Sequence, residues 1–180
     1  MKFATGLLTL TLVYSAFAEP IPIAKEKRAL SDYTAVFSAI STQVAAVSSS
    51  VASYVAGSTP GSTVQDASAE LVSIINNGAS SVSAFDSLSS LEALQLVSPI
   101  QDLTDDISSL VDAVIAAEPN FEADGLADDV LASLQDQKTA AEGLRDAITP
   151  KVPSALQDIA AELAEGIVTE IERGIAAYSG

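Results

Sequence analysis

The stretch SSLEALQLVSPIQDLTDDISSLVDAVIAA, residues 89–117, decides the fold. Leu96, Ile100, Leu103, Ile107, Leu110 and Val114 recur every three or four residues, the spacing that returns a side chain to one face of an α-helix. Val97, Val111 and Ile115 widen that stripe. A helix this apolar needs neighbours on two sides, so the other segments are expected to pack about it as a central element. Ser89 and Glu92 have capping-box spacing at its start. Ser98-Pro99-Ile100-Gln101 repeats a start signal, so the helix either kinks or restarts at Pro99.

Each flanking segment shows one apolar stripe and a cap. A first helix is expected after Ser31, with Asp32 in its first turn and Tyr33, Phe37, Ile40, Val44, Val47, Val51 and Tyr54 on its inner face, ending at Gly57. Between Tyr33 and Gln65 no charged residue occurs. This Ser/Thr/Ala-rich face is either an ordinary or O-glycosylated polar surface, or one kept free of ions so that it can approach an apolar surface without desolvating them. Ser62 and Gln65 have capping-box spacing for a second helix that carries Val64, Ala67, Leu71, Ile74, Ile75, Val82 and Phe85. Within it, Asn77-Gly78 marks a close backbone approach or a weak point.

Downstream, Pro119 is expected to end the central helix and Asp124 to cap a fourth, with the stripe Val130, Leu134, Gln137, Ala141, Leu144 and Ile148. Gln137 takes an apolar position: either the helix rolls and leaves it wet, or it supplies a polar contact for a ligand headgroup. Ser154 and Gln157 are expected to cap a fifth helix, with Leu156, Ile159, Leu163, Ile167, Ile171, Ile175 and Tyr178 inward. The fold expected is all-α, an elongated bundle of about five amphipathic helices.

Residues 1–18 combine Lys2, a short apolar run from Leu7 to Val13 and Ala16-Phe17-Ala18, the pattern of a secretory signal peptide too short to span a membrane. Residues 19–28 end in Lys27-Arg28, a dibasic processing site or an exposed linker, leaving 29–180 as a single helical domain. The whole chain carries a net charge of −16; without residues 1–28, four basic residues face 22 acidic ones, a net −18. Such a chain repels phosphate backbones and anionic headgroups, so nucleic acid is not an expected partner. A monomer without a transmembrane segment, N-glycosylation or C-terminal lipid anchor is expected, since neither an Asn-x-Ser/Thr sequon nor a terminal apolar tail is present.

The chain contains no His and no Cys, which removes His-dependent triads, thiol nucleophiles and nearly all catalytic zinc arrangements. Neither a disulfide nor a cofactor is expected, and stability has to come from helix packing. Ten acids between Asp102 and Asp136 occur without one Lys or Arg, a pattern read as a solvated face rather than a catalytic carboxylate pair. Glu122, Asp124, Asp128 and Asp129 could bind calcium loosely, though they lack the spacing of a calcium loop.

Several segments together resemble the fungal hydrophobic surface-binding protein A family, also described as cell-wall galactomannoproteins. They are the signal peptide, the Ser/Thr-rich first helix, Leu91-Glu-Ala-Leu94 leading to Pro99-Ile-Gln-Asp-Leu103, Phe121-Glu-Ala-Asp-Gly-Leu126, Leu134-Gln-Asp-Gln-Lys138 and Gly174-Ile-Ala-Ala-Tyr178. The resemblance spans residues 31–178 and implies a secreted helical bundle that adsorbs to hydrophobic surfaces, in some members recruiting a polyester- or cutin-degrading hydrolase. Related domains enclose long-chain fatty acids. No functional residue of the family maps onto a chemically distinctive position here.

The expected function is therefore non-enzymatic binding of hydrophobic surfaces or lipids by a secreted, extracellular or wall-associated protein, with a secreted hydrolase as a candidate partner. An enclosed fatty-acid carrier is the alternative, with the tail among Phe37, Ile74, Phe85, Leu103, Ile107, Val111, Leu134 and Ile167 and the headgroup near Gln137. A structural or antigenic wall protein without a specific ligand is the third.

Overall fold

The computed structural model describes residues 23–180, with side chains from Ala29 onward. The signal peptide expected at 1–18 lies outside the described residues. Seven α-helices follow one another: α1 (Ile23–Val55), α2 (Gly61–Ala84), α3 (Ser90–Gln95), α4 (Val97–Ala116), α5 (Glu118–Ala123), α6 (Ala127–Ile148) and α7 (Gln157–Ala177). Two 3-10 turns, Thr149–Lys151 and Ser154–Leu156, join α6 to α7. Five of the helices are long, and α3 and α5 are single-turn connectors, in keeping with the expected all-α bundle.

The arrangement differs from a central helix with satellites. α1 packs on α2 and α4, α2 on α6, α6 on α7, and α7 on α4, which closes a ring of five. The wide apolar face of α4 is satisfied by two lateral neighbours and by the inside of the ring, so width of the stripe alone did not imply a surrounded helix. Cross-contacts fix the directions. Gly166 faces Thr104 and Arg173 pairs with Asp112, so α7 and α4 run parallel. Gln65 bonds Asp129 and Gly78 faces Leu144, so α2 and α6 also run parallel, opposite to the first pair.

Local start and stop signals were met unevenly. Ser89 forms the expected capping box: its hydroxyl accepts from the Glu92 N–H while Glu92 Oε2 accepts from the Ser89 N–H at 2.8 Å. Pro99 coincides with a restart, because Leu96 ends α3 and α4 begins at Val97. By contrast, α1 does not start at Ser31 but runs unbroken from Ile23, since Ala24 to Leu30 contains only good helix formers and no stop. The caps expected from Ser62, Asp124 and Ser154 do not form. α2, α6 and α7 begin after Pro60, Leu126 and Leu156 without a side-chain cap bond, and Asp124 instead closes α5. The central segment is extended by α5 beyond Pro119, which occupies the first turn of that helix rather than a loop.

Residues Ala29–Val55 of α1 are long and apolar enough to cross a membrane by length and composition. In the bundle that apolar content serves the core, with Tyr33, Ile40, Val44, Val47 and Val51 all buried. Gly78 resolves the open reading of Asn77-Gly78: a Cβ there would lie 2.8 Å from Val36 Cγ1, so the glycine permits close contact of α1 and α2.

Candidate binding cavity

The ring is not filled at its centre. It encloses a cavity of about 110 Å³, several times the ~10–15 Å³ that one water needs. The lining is overwhelmingly aliphatic and is drawn from every long helix. Its lining runs along α6 from Asp129 to Ile148, about 28 Å at the helical rise. An elongated apolar space between helices is shaped for an extended hydrocarbon chain rather than a compact polar substrate.

One end is closed by aromatic residues. The Tyr54 and Phe121 rings stack with centroids 4.5 Å apart, and Tyr54 Oη lies 2.8 Å from Asp124 Oδ2 and 2.9 Å from the Asn120 carbonyl. Burial first, then the bond to Asp124 and its charge, push the Tyr54 hydroxyl up to about 12. Beside it, Tyr178 donates to the Val114 carbonyl at 2.7 Å, which ties the end of α7 to α4.

The other end is open. Leu94 and Ile159 both line the cavity, yet they are 54% and 49% exposed. The parallel register of α4 and α7 sets the start of α7, with Ile159, at the end where α3, with Leu94, leads into α4. Leu91 on the neighbouring α3 is also exposed. Nearby, Lys151 Nζ donates to the carbonyls of Ser83 and Phe85 and its carbonyl accepts from the Leu88 N–H, which anchors the chain entering α3.

Of the residues expected at a lipid site, Phe37, Leu103, Ile107, Val111, Leu134, Gln137 and Ile167 line the cavity. Ile74 and Phe85 do not. They sit in a shallow groove on the α1–α2 side with Asp32, Val36 and Gly78, and the Phe85 ring meets Tyr33 edge to face. The cavity face of α2 instead carries Val64, Ser68, Leu71 and Ile75, spaced four, three and four apart. Ser68 is absent from the apolar stripe expected for this helix, although its register with Val64 and Leu71 marks it as inward. Gln137 is 7% exposed, so α6 does not roll to leave it wet.

A polar strip interrupts the aliphatic wall where α2 meets α6. Gln137 Nε2 donates to Ser133 Oγ at 3.3 Å, one turn away on α6. The register of α2 and α6 sets Ser68 level with Ser133, and Ser68, buried at 6% exposure, has no hydrogen-bond partner for its hydroxyl among the described residues. Only two titratable residues reach the lining, Asp129 and Arg145, both from α6. Asp129 accepts from Gln65 at 2.7 Å, and Arg145 is held by Glu165 at 2.9 Å and Asp146 at 3.1 Å. Among the described residues no three acidic groups converge to hold a metal ion.

The sequence profile of hydrophobic surface binding protein A matches residues 30–150, which spans α1 through α6. The chain belongs to this family. Cell wall mannoprotein 1 of Aspergillus fumigatus is 41% identical over 99% of the chain, and that of Aspergillus flavus 38% over the same share. The chain spans about three fifths of the length of these curated relatives. Among solved structures, ligand binding domain 1 of Penicillium marneffei MP1, complexed with arachidonic acids, superimposes with a TM-score of 0.79 at 27% identity. That match covers 85% of this chain and 100% of the domain. Ligand binding domain 2 of the same protein, also with arachidonic acids, gives 0.76 at 31% identity over 83% and 94%. Both neighbours share the family's helical fold.

Proposed function

We propose that this protein is a non-enzymatic carrier that encloses the hydrocarbon tail of a long-chain fatty acid within its helical ring. The observation that carries the reading is the elongated aliphatic cavity with one aromatic-closed end and one open end. The solved complexes of the two related domains with arachidonic acids support it. Phe37, Leu103, Ile107, Val111, Leu134 and Ile167 surround the tail, and Gln137 stands near the head. Ile74 and Phe85, outside the lining, are given no part in it. Transfer of the tail from water contributes roughly 25 cal/mol per Å² of apolar surface removed.

A second reading rests on α1. Ala35, Ala39, Thr42, Ala46 and Ser49 are exposed and form an uncharged outward face, and the family is named for hydrophobic surface binding. Adsorption through this face would place the carrier beside an apolar source, and a hydrolase could be brought to the same surface. The relatives' designation as cell wall mannoproteins supports a secreted or wall-associated location, reached after removal of residues 1–28.

The carrier reading is tested by thermal unfolding with added hexadecanoic acid. A ligand that binds only the folded state at about 100 times its Kd adds about 2.7 kcal/mol of stability. Wild type should show a saturable rise in Tm. Ala141→Phe and Ala164→Leu, which fill the lining, should remain folded and lose that rise. An unchanged Tm for wild type, or an equal rise in both filled variants, would defeat the carrier reading.

A further inference from the structure

We infer that the cavity takes the lipid head in its uncharged form, so that a fatty acid binds as the protonated acid and is released as pH rises. The inference rests on the carrier reading above and concerns the chemistry of the polar strip. Ser68, Ser133 and Gln137 are the hydrogen-bonding side chains at the middle of the α2–α6 wall. Together they offer hydroxyls and an amide, each able both to donate and to accept. A carboxylic acid or an alcohol presents the same mixed pattern. A carboxylate presents acceptors alone and brings a full charge into an aliphatic space, where it needs a paired cation to offset desolvation.

No such cation faces the strip. α1, α2, α3, α4, α5 and α7 contribute no titratable side chain to the lining. α6 contributes Asp129, one turn before Ser133, and Arg145, two turns beyond Gln137 and about 12 Å away along the helix. Arg145 is already committed to Glu165 and Asp146, and Asp129 would repel an anion. The net charge of −16 opposes a carboxylate further. The Ser68 hydroxyl, on the cavity lining and without a hydrogen bond to another described residue, is open to a head that can donate as well as accept.

The test compares dodecanoic acid with dodecan-1-ol by displacement of a fluorescent apolar probe from the lipid-stripped protein, between pH 5.5 and 7.5. A carboxyl group with an ordinary pKa near 4–5 loses about tenfold of its protonated fraction per pH unit over that range. The apparent affinity for dodecanoic acid should therefore fall about 100-fold, while that for dodecan-1-ol stays constant. Gln137→Leu combined with Ser68→Ala, checked for retained helicity, should weaken the alcohol at both pH values by tenfold or more. An acid affinity that is flat or rises with pH, or an acid bound more tightly than the alcohol at pH 7.5, would overturn the uncharged-head inference and leave the carrier reading standing. Binding of neither ligand at any pH would overturn both.

Discussion

Gln137 Nε2 donates to Ser133 Oγ across 3.3 Å on the cavity face of α6, where Ser68 of α2 lies level with Ser133 and α1, α4 and α7 present only apolar side chains. With Ser68, this pair forms the polar strip of a largely aliphatic interior. A buried amide with one such bond contributes little to folding. Gln137→Leu is therefore expected to change the unfolding free energy in urea by less than about 1 kcal/mol, because a similar volume is kept. A loss of several kcal/mol would assign the amide to the scaffold rather than to a ligand.

Three of the serines read as N-caps, Ser62, Ser89 and Ser154, differ in the structure, and so should their variants. Ser89 is engaged in a reciprocal capping box with Glu92, so Ser89→Ala should cost about 1 kcal/mol. Ser62 and Ser154 make no cap bond, and their replacement by Ala should stay within about 0.5 kcal/mol. Chemical denaturation of the three variants checks the contrast, and equal losses would contradict it.

Two helix-interior glycines should respond in opposite directions to a methyl group. At Gly78 an added Cβ would meet Val36 Cγ1 at 2.8 Å, a stiff β-branched neighbour, and overpacking of this kind costs about 1–3 kcal/mol. At Gly143 nothing lies within 4 Å, so Gly143→Ala should stabilise α6 by about 0.5–1 kcal/mol. Thermal melts of both variants decide the matter, and destabilisation by Gly143→Ala would refute the open environment described.

Alkaline pH should unfold the protein through its tyrosines. Burial, then the charges of Asp86 and Glu92, push Tyr33 up to about 12, and Tyr54 is pushed to about 12 by burial and Asp124. Tyr178 is raised as well, by burial and then by Glu118, Tyr54 and Glu122. The unfolded chain ionises near 10, so between 10 and 12 it binds fewer protons than the fold. This contribution to stability is complete below about pH 10 and declines as pH rises through 12. Tyrosinate absorbance should appear together with loss of helical circular dichroism. Ionisation of these tyrosines at pH 10 in a fully helical protein would contradict the buried environments.

The helical class was legible because Leu96 to Val114 and Leu134 to Ile148 keep a strict three-four rhythm, and burial follows it. Helix starts were less legible. Ser62, Asp124 and Ser154 have good capping chemistry, but Pro60 already presets the entry to α2 and the 3-10 turn at Ser154–Leu156 begins before α7. The cavity itself could not be read from periodicity, since an aliphatic face toward an empty centre has the same pattern as one toward a packed core. For the same reason Ile74 was placed with Ile75, although a rotation of about 100° separates successive residues and only Ile75 reaches the cavity. Ser68 shares the inward register of Val64 and Leu71, but its level beside Ser133 comes only from the parallel packing of α2 and α6.

The central claim is that the ring holds one hydrocarbon chain, and native mass spectrometry of the purified protein tests it most directly. The expected spectrum shows a monomer carrying a long-chain fatty acid, which organic extraction releases and identifies. That adduct should be absent from Ala141→Phe. A wild-type protein that is empty as purified, and stays empty after incubation with hexadecanoic acid at pH 5.5, would contradict the account.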